Sequence, residues 1–232
     1  MLHHLTEEGR RVDIVLCIDG TVSMSACIDN IKRNIDRFFY GILNRSLEEN
    51  SRIGSLRVKV IVFRDYLYDG SDAMQESLFF ELPKEKDEFD GFLESIEAEG
   101  GGDPCENGLE AIYLAMMSDF QTEARGRQVI VLISDADALE LKNREPVAAY
   151  PTDMVDEDGL IRLWSGVDRD GACRLVQGRK RMILFAPEYS KYQEMAEKLD
   201  RCFFEPMEHA AAFFGDGEVD ALAERFFRYV FF

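Results

Sequence analysis

The chain has 232 residues, 45 acidic and 27 basic side chains, a formal net charge of -18 and 46% hydrophobic residues. That length supplies one large α/β domain with a substantial core, read here as a single domain over residues 1–232. The charge sets nucleic acid and anionic membranes aside as partners, since their phosphates would be repelled, and suits metal cations and basic partners better. The five cysteines, Cys17, Cys27, Cys105, Cys173 and Cys202, are odd in number and contain no Cys-x-x-Cys pair, a pattern of neither a disulfide framework nor a zinc site. Met1 to Arg10 has no apolar signal core, and no run approaches the ~18 apolar residues of a membrane span, so a cytoplasmic location is expected.

Strand-like runs alternate with helical periodicity from end to end, which predicts a mostly parallel sheet covered on both faces. Asp13 to Ile18 reads as the first strand. A helix follows in which Ile28, Ile31, Ile35, Phe38 and Ile42 recur at helical spacing. Arg57 to Phe63 reads as a second strand, with Ser77 to Leu82 as its antiparallel partner at an edge. Glu85 to Glu99 reads as a helix stopped by Gly100-Gly101-Gly102, and Asp103-Pro104 as the start of the next, which runs to about Phe120. Gln128 to Ser134 is an apolar run suited to the sheet centre, and Arg181 to Phe185 is another. The chain closes with a helix from Tyr192 to Leu199, a short strand from Cys202 to Phe204 and a helix from Val219 to Phe231. Between Asp137 and Lys180 the periodicity fails, and this stretch, which carries Tyr150 and Trp164, reads as an insertion with structure of its own. The expected fold is a three-layer, doubly wound, Rossmann-like α/β sheet with one antiparallel edge strand.

Chemistry concentrates where the strands end. Asp19 closes the first strand and is followed by Thr21 and Ser23, three hard oxygens spaced by two along one loop. Asp103 follows the glycine run and Asp135 follows the central strand. Ligands of open α/β sheets gather outside the carboxyl ends of the strands, so these groups should converge. Three converging carboxylates repel unless a cation lies among them or a proton is retained. Mg²⁺, or Mn²⁺ or Ca²⁺ in its place, accepts such an oxygen set and keeps waters to complete its shell.

Asp19-x-Thr21-x-Ser23, Gly100-Gly101-Gly102-Asp103 and Val129 to Asp135 resemble the three loops of the von Willebrand factor A (VWA) domain with its metal-ion-dependent adhesion site (MIDAS). The likeness in order and spacing spans Asp13 to Phe231. It implies a divalent-cation-binding, non-enzymatic protein–protein interaction module in which Asp19, Thr21, Ser23, Asp103 and Asp135 hold the metal directly or through water. The family's first-loop Ser is Thr21 here, and its second-loop Thr corresponds to Asp103. A third carboxylate cancels more of the cation's charge and makes it a poorer electrophile for an acidic side chain of a partner. Phe63-Arg64-Asp65-Tyr66, Gly100 to Glu106, Tyr150-Pro-Thr-Asp-Met154 and Ile183-Leu-Phe-Ala-Pro187 further resemble bacterial intracellular VWA proteins, including those near tellurium-resistance and kinase or phosphatase genes. In VWA domains that switch, the last helix shifts, which here implies Val219 to Phe231.

Five residues are expected along a partner-binding rim. Arg64 and Asp65 follow the second strand, with a surface salt bridge as the plainer alternative. Glu106 lies in the predicted first helical turn, where it could also be a hydrogen-bond acceptor behind the metal ligands or a solvated acid favoured by the helix dipole. Tyr150 and Trp164 would be exposed anchors in the insertion, or packed locally. An enzymatic rival comes from Ile18-Asp19-Gly20-Thr21-Val22, which resembles the Asp-x-Asp-Gly-Thr signature of haloacid-dehalogenase-type Mg²⁺-dependent phosphatases. The nucleophilic Asp of that signature is replaced by Cys17, which cannot form an aspartyl-phosphate. His3 and His4 sit near the terminus and His209 in a late loop, none of them beside a candidate nucleophile.

Overall fold

Val12 to Ile18 is apolar everywhere but Asp13, a run that a strand covered on both faces buries well. In the computed structural model, which describes residues 9–122, 125–167 and 173–232, it forms most of β1 (Arg10–Asp19). The chain continues through α1 (Ser25–Glu48), β2 (Ile53–Phe63), α2 (Tyr66–Asp69), β3 (Met74–Glu76), β4 (Phe80–Leu82) and α3 (Lys86–Glu94). It then forms β5 (Cys105–Glu106), α4 (Gly108–Met116), β6 (Gly126–Ile133), β7 (Asp137–Ala138), α5 (Glu157–Ser165), β8 (Lys180–Ala186), α6 (Lys191–Lys198), β9 (Cys202–Pro206) and α7 (Val219–Phe231). His3 and His4 lie outside the described residues.

The main sheet runs β3-β2-β1-β6-β8-β9, with β4 also on β2. The strands from β2 to β9 along this path are parallel, while β3 and β4 run antiparallel to β2. Successive residues of a strand point to opposite faces, and the core divides accordingly. Ile14, Leu16 and Ile18 pack in one apolar layer with α1, α3 and α7. Val15 and Cys17 pack in the other with α4, α5 and α6.

α7 occupies the expected residues and buries Leu222, Phe226 and Val230 against the sheet and α1, each such side chain contributing roughly 1.5–3 kcal/mol. Gly41 permits the close approach, since a Cβ there would come within 2.9 Å of the Ala223 Cβ. At the carboxyl end of α7, Arg127 Nε donates to the Val230 carbonyl at 2.7 Å and Arg181 Nε to that of Tyr229 at 3.1 Å. Cations are favoured at that pole of a helix.

Tertiary contacts move several boundaries. Of the expected edge strand Ser77 to Leu82 only Phe80–Leu82 is strand, and Met74–Glu76 ahead of it forms a second short one, because the edge holds one more residue than β2 between the Ile61–Glu76 and Val58–Phe80 pairs. Ser77 occupies the bulge, and its hydroxyl accepts from Val60 N at 2.9 Å. α3 ends at Glu94 rather than Glu99 because Lys32 and Arg64 take the carbonyls of Glu94, Ile96, Glu97 and Glu99. The helix expected from Asp103 begins at Gly108, because Cys105–Glu106 pairs instead with Asp137–Ala138 as a two-residue parallel ladder.

The stretch 137–180 is built into the main core. Tyr150, Met154, Leu160, Leu163 and Trp164 bury in the same layer as α4 and α6. Residues 168–172 of this stretch lie outside the described residues.

Candidate metal centre

Asp19 ends β1 with its side chain fully buried. Its Oδ1 accepts from Thr21 N at 3.0 Å and from Thr21 Oγ1 at 2.6 Å, and its Oδ2 accepts from Ser134 Oγ at 2.7 Å. Burial raises its pKa above the ordinary carboxylate value, while these hydrogen bonds and the nearby Asp135 act as smaller influences. Thr21 Oγ1 lies 3.2 Å from Ser23 Oγ, which donates to Asp135 Oδ1 at 2.9 Å. The parallel pairing of Ile18 with Ile133 brings the two strand ends side by side, so the loops after β1 and β6 share one surface. Asp19, Thr21, Ser23 and Asp135 therefore come together as the sequence predicts.

The glycine loop packs against both Thr21 and Glu106. Gly101 has φ +77°, and a Cβ there would sit 3.0 Å from Thr21 Cγ2 and 3.2 Å from Glu106 Oε1. Glycine thus lets the loop lie directly on both residues. Glu106 is 3% exposed and its Oε2 has no hydrogen-bond partner. Burial first, then the fields of Asp19, Asp65, Asp69 and Asp103, push its pKa up to about 8. The Asp103 carboxylate is engaged elsewhere, accepting from Tyr68 Oη at 3.0 Å and from Arg144 Nη2 at 2.6 Å.

Among the described residues no three His, Cys, Asp or Glu side chains lie close enough to enclose a metal by themselves. A cation here would rest on Asp19, Asp135, the two hydroxyls and water. Mg²⁺ is the ion most often held in that way, by one or two carboxylates and several waters. The unpartnered Oε2 of Glu106 is an acceptor suited to such a water.

None of the five expected rim residues is an exposed rim. Arg64 is 3% exposed and reaches inward, donating through Nε to Glu99 O at 2.9 Å and Gly20 O at 3.2 Å, through Nη1 to Asp72 O at 2.9 Å and through Nη2 to Glu97 O at 2.7 Å. Asp65 is buried, caps α2 by accepting from Leu67 N at 2.8 Å, and receives both Nε and Nη2 of Arg144 at 2.8 and 2.6 Å. Tyr150 is buried, its ring packs edge-on to Tyr66, and its hydroxyl donates to Glu110 Oε1 at 2.6 Å. Trp164 is fully buried, with Nε1 donating to Asp200 O at 2.9 Å and Lys180 Nζ lying 4.3 Å from its ring centroid. In each case a large side chain or a charge finds its partners inside.

Cys17, at the position of the phosphatase nucleophile, is also buried, with its thiol directed at Ala111 O at 3.7 Å in the α4 layer. Burial raises its pKa.

The sequence reading passed over Ser134 and Arg144. The first could have been found from its place beside Asp135 at a strand end; the second has no local signal, since the two carboxylates it pairs with, Asp65 and Asp103, are distant in the chain. It also passed over the apolar side chains exposed on loops at the carboxyl edge. Val22 is 61% exposed after β1, Leu67 and Tyr68 are 51% and 53% exposed after β2, and Tyr189 is 90% exposed after β8.

The fold is similar to that of the pilus adhesin SpaC from Lactobacillus rhamnosus GG, with a TM-score of 0.59 at 12% identity over 98% of this chain and 31% of the adhesin. The open conformation of that adhesin gives 0.55 at 13% identity, with the same coverage. Proximal thread matrix protein 1 from the mussel byssus matches with a TM-score of 0.52 at 11% identity, over 95% of this chain and 48% of that one. The chain thus spans 31% of the adhesin and 48% of the matrix protein. At such identities the likeness is one of fold alone. No protein-family model and no curated protein matches the sequence.

Proposed function

We propose that this chain is a VWA-type interaction module: a doubly wound sheet whose carboxyl edge binds one divalent cation, Mg²⁺ or alternatively Mn²⁺ or Ca²⁺, and presents it to a protein partner without catalysing a reaction. The observation that carries this reading is the hydrogen-bonded convergence of Asp19, Thr21, Ser23 and Asp135 beside the unpartnered, buried Oε2 of Glu106. Buried polar groups are ordinarily satisfied, so an acceptor left open next to two carboxylates is the donor chemistry that a hydrated cation completes. When bound, the cation supplies positive charge to a face that otherwise gathers carboxylates. Asp19 and Asp135 would hold it, Thr21 and Ser23 would offer hydroxyl oxygens, and Glu106 would take a metal-bound water. The exposed Val22, Leu67, Tyr68 and Tyr189 on the surrounding loops give a protein partner apolar surface to cover.

The test is calorimetric titration of chelator-stripped protein with Mg²⁺, Mn²⁺ and Ca²⁺. One saturable site in the wild type, lost in Ser23→Ala/Asp135→Asn with the melting temperature unchanged, is the expected result. Absence of saturable binding in the wild type would overturn the reading. With the cation bound, slower amide exchange along α7 is expected if that helix responds to the site; unchanged exchange would restrict the response to the loops.

A further inference from the structure

The carboxylate that the sequence placed in the metal shell is held away from it by a guanidinium. Arg144 lies in the turn region between β7 and α5, a segment fastened beside the site by Leu139 N donating to Glu106 O at 2.9 Å, by Tyr150 Oη donating to Glu110, and by the Tyr66–Tyr150 ring contact. From there Arg144 grips Asp65 with two nitrogens, and its Nη2 lies 2.6 Å from both Asp65 Oδ2 and Asp103 Oδ2. Asp65 is fully buried and anchored as the cap of α2, so the guanidinium it holds is fixed in place. Asp103 is the exposed member of this group, held by Arg144 and by the Tyr68 hydroxyl, which donates to its Oδ1 at 3.0 Å. It is about one-third exposed (37%) and follows a loop with two glycines at positive φ, Gly100 and Gly101. Gly101, two residues before Asp103, lies against Thr21 and Glu106, so the loop that carries Asp103 borders the site.

We propose that Arg144 is a positioning residue that withholds Asp103 from the cation, keeping the site to two metal-holding carboxylates and leaving the bound ion with more of its positive charge for a partner. The bidentate, charge-assisted grip on Asp65 favours this arrangement over the exchange of one Asp103 contact for a metal contact. Neutralising Arg144 removes the charged hold on Asp103 and leaves only the Tyr68 hydroxyl bond, which a cation outcompetes; Asp103 then joins the cation, which binds more tightly. The inference rests on the cation reading above.

The test is Mg²⁺ and Mn²⁺ calorimetry on the whole chain as wild type, Asp103→Asn, Arg144→Gln, Arg144→Gln/Asp103→Asn and Arg144→Gln/Asp69→Asn. Asp103→Asn alone is expected to leave the affinity within about two-fold, because Asp103 is not engaged while Arg144 is present. Arg144→Gln is expected to bind at least about ten-fold more tightly, the added Asp103→Asn to return it to near wild type, and Asp69→Asn to leave it tight although it removes the same charge from the same neighbourhood. A wild-type affinity that collapses in Asp103→Asn would overturn the proposal, as would an Arg144→Gln affinity that is unchanged or that falls equally with either second substitution. If Arg144→Gln fails to fold, the Asp103→Asn comparison decides. If the wild type binds no cation, the function reading falls, and this proposal with it; if the wild type binds and the variants behave otherwise than stated, only this proposal falls.

Discussion

Ser134 donates its hydroxyl to Asp19 Oδ2 at 2.7 Å from the end of the neighbouring strand, so the buried carboxylate is tied across the sheet as well as along its own loop. Removing that donor leaves an acceptor buried and under-satisfied, a loss of about 1–3 kcal/mol. Ser134→Ala is therefore expected to lower unfolding stability by that amount in urea titrations with chelator present, and to weaken Mg²⁺ binding several-fold. Stability within about 0.5 kcal/mol of wild type would show that the hydroxyl does not support Asp19.

Glu106 gives the metal-free protein a pH dependence. Burial and the surrounding carboxylates push its pKa up to about 8 in the fold, from an ordinary 4.5, so between these values the folded state binds more protons than the unfolded one. Stability must then fall as pH rises from about 4.5 to 8 and level off above, with a total change from this group of at most about 5 kcal/mol. Glu106→Gln is expected to flatten that slope in denaturation curves taken with chelator across the range. A slope identical in the variant would assign the dependence to other groups.

At the opposite edge of the sheet, Arg57 holds Asp13 through two hydrogen bonds at 2.9 and 2.6 Å, while Gln121 N donates to the same carboxylate at 2.7 Å. The Asp13 side chain is 2% exposed, so Arg57→Met strands a buried charge, and a loss of about 3–5 kcal/mol is expected. Because this pair lies at the amino ends of the strands, calorimetric Mg²⁺ affinity should not change. A variant that loses affinity in proportion to stability would show that the two edges are coupled.

Trp164→Ala should cost about 3–5 kcal/mol, since it opens a cavity in the α4 layer and removes the ring beneath Lys180, itself fully buried. The prediction separates a packed tryptophan from a docking anchor, and guanidinium unfolding measures it. A loss below about 1 kcal/mol would contradict the packing.

What could be read from the sequence was what repeats. The apolar runs of β1, β6 and β8 and the helical stripe of α7 were visible because each is fixed by neighbours close in the chain. The Asp19, Thr21, Ser23 and Asp135 group was visible for a related reason, as strand ends of a parallel sheet must meet at one edge. The Asp103–Arg144 pair was not visible because the two residues are remote in sequence, and nothing in the glycine loop announces a guanidinium. For Tyr150 and Trp164 the sequence left exposure and local packing open because their segment lacks long periodicity, and the structure buries both. Ser77 divided an edge strand by lending its hydroxyl to the ladder, a substitution no alternation pattern encodes.

Arg64 carries a consequence for how quickly this edge can act. One guanidinium joins the carbonyls of Gly20, Asp72, Glu97 and Glu99, and Glu99 N returns a bond to Gly20 O at 3.0 Å. Loops that would each forfeit backbone freedom when they close on a ligand have already forfeited it as the chain folds. If this edge binds a cation or partner, that ligand would meet loops already tied together from beneath, and little of its binding energy would be diverted into ordering them.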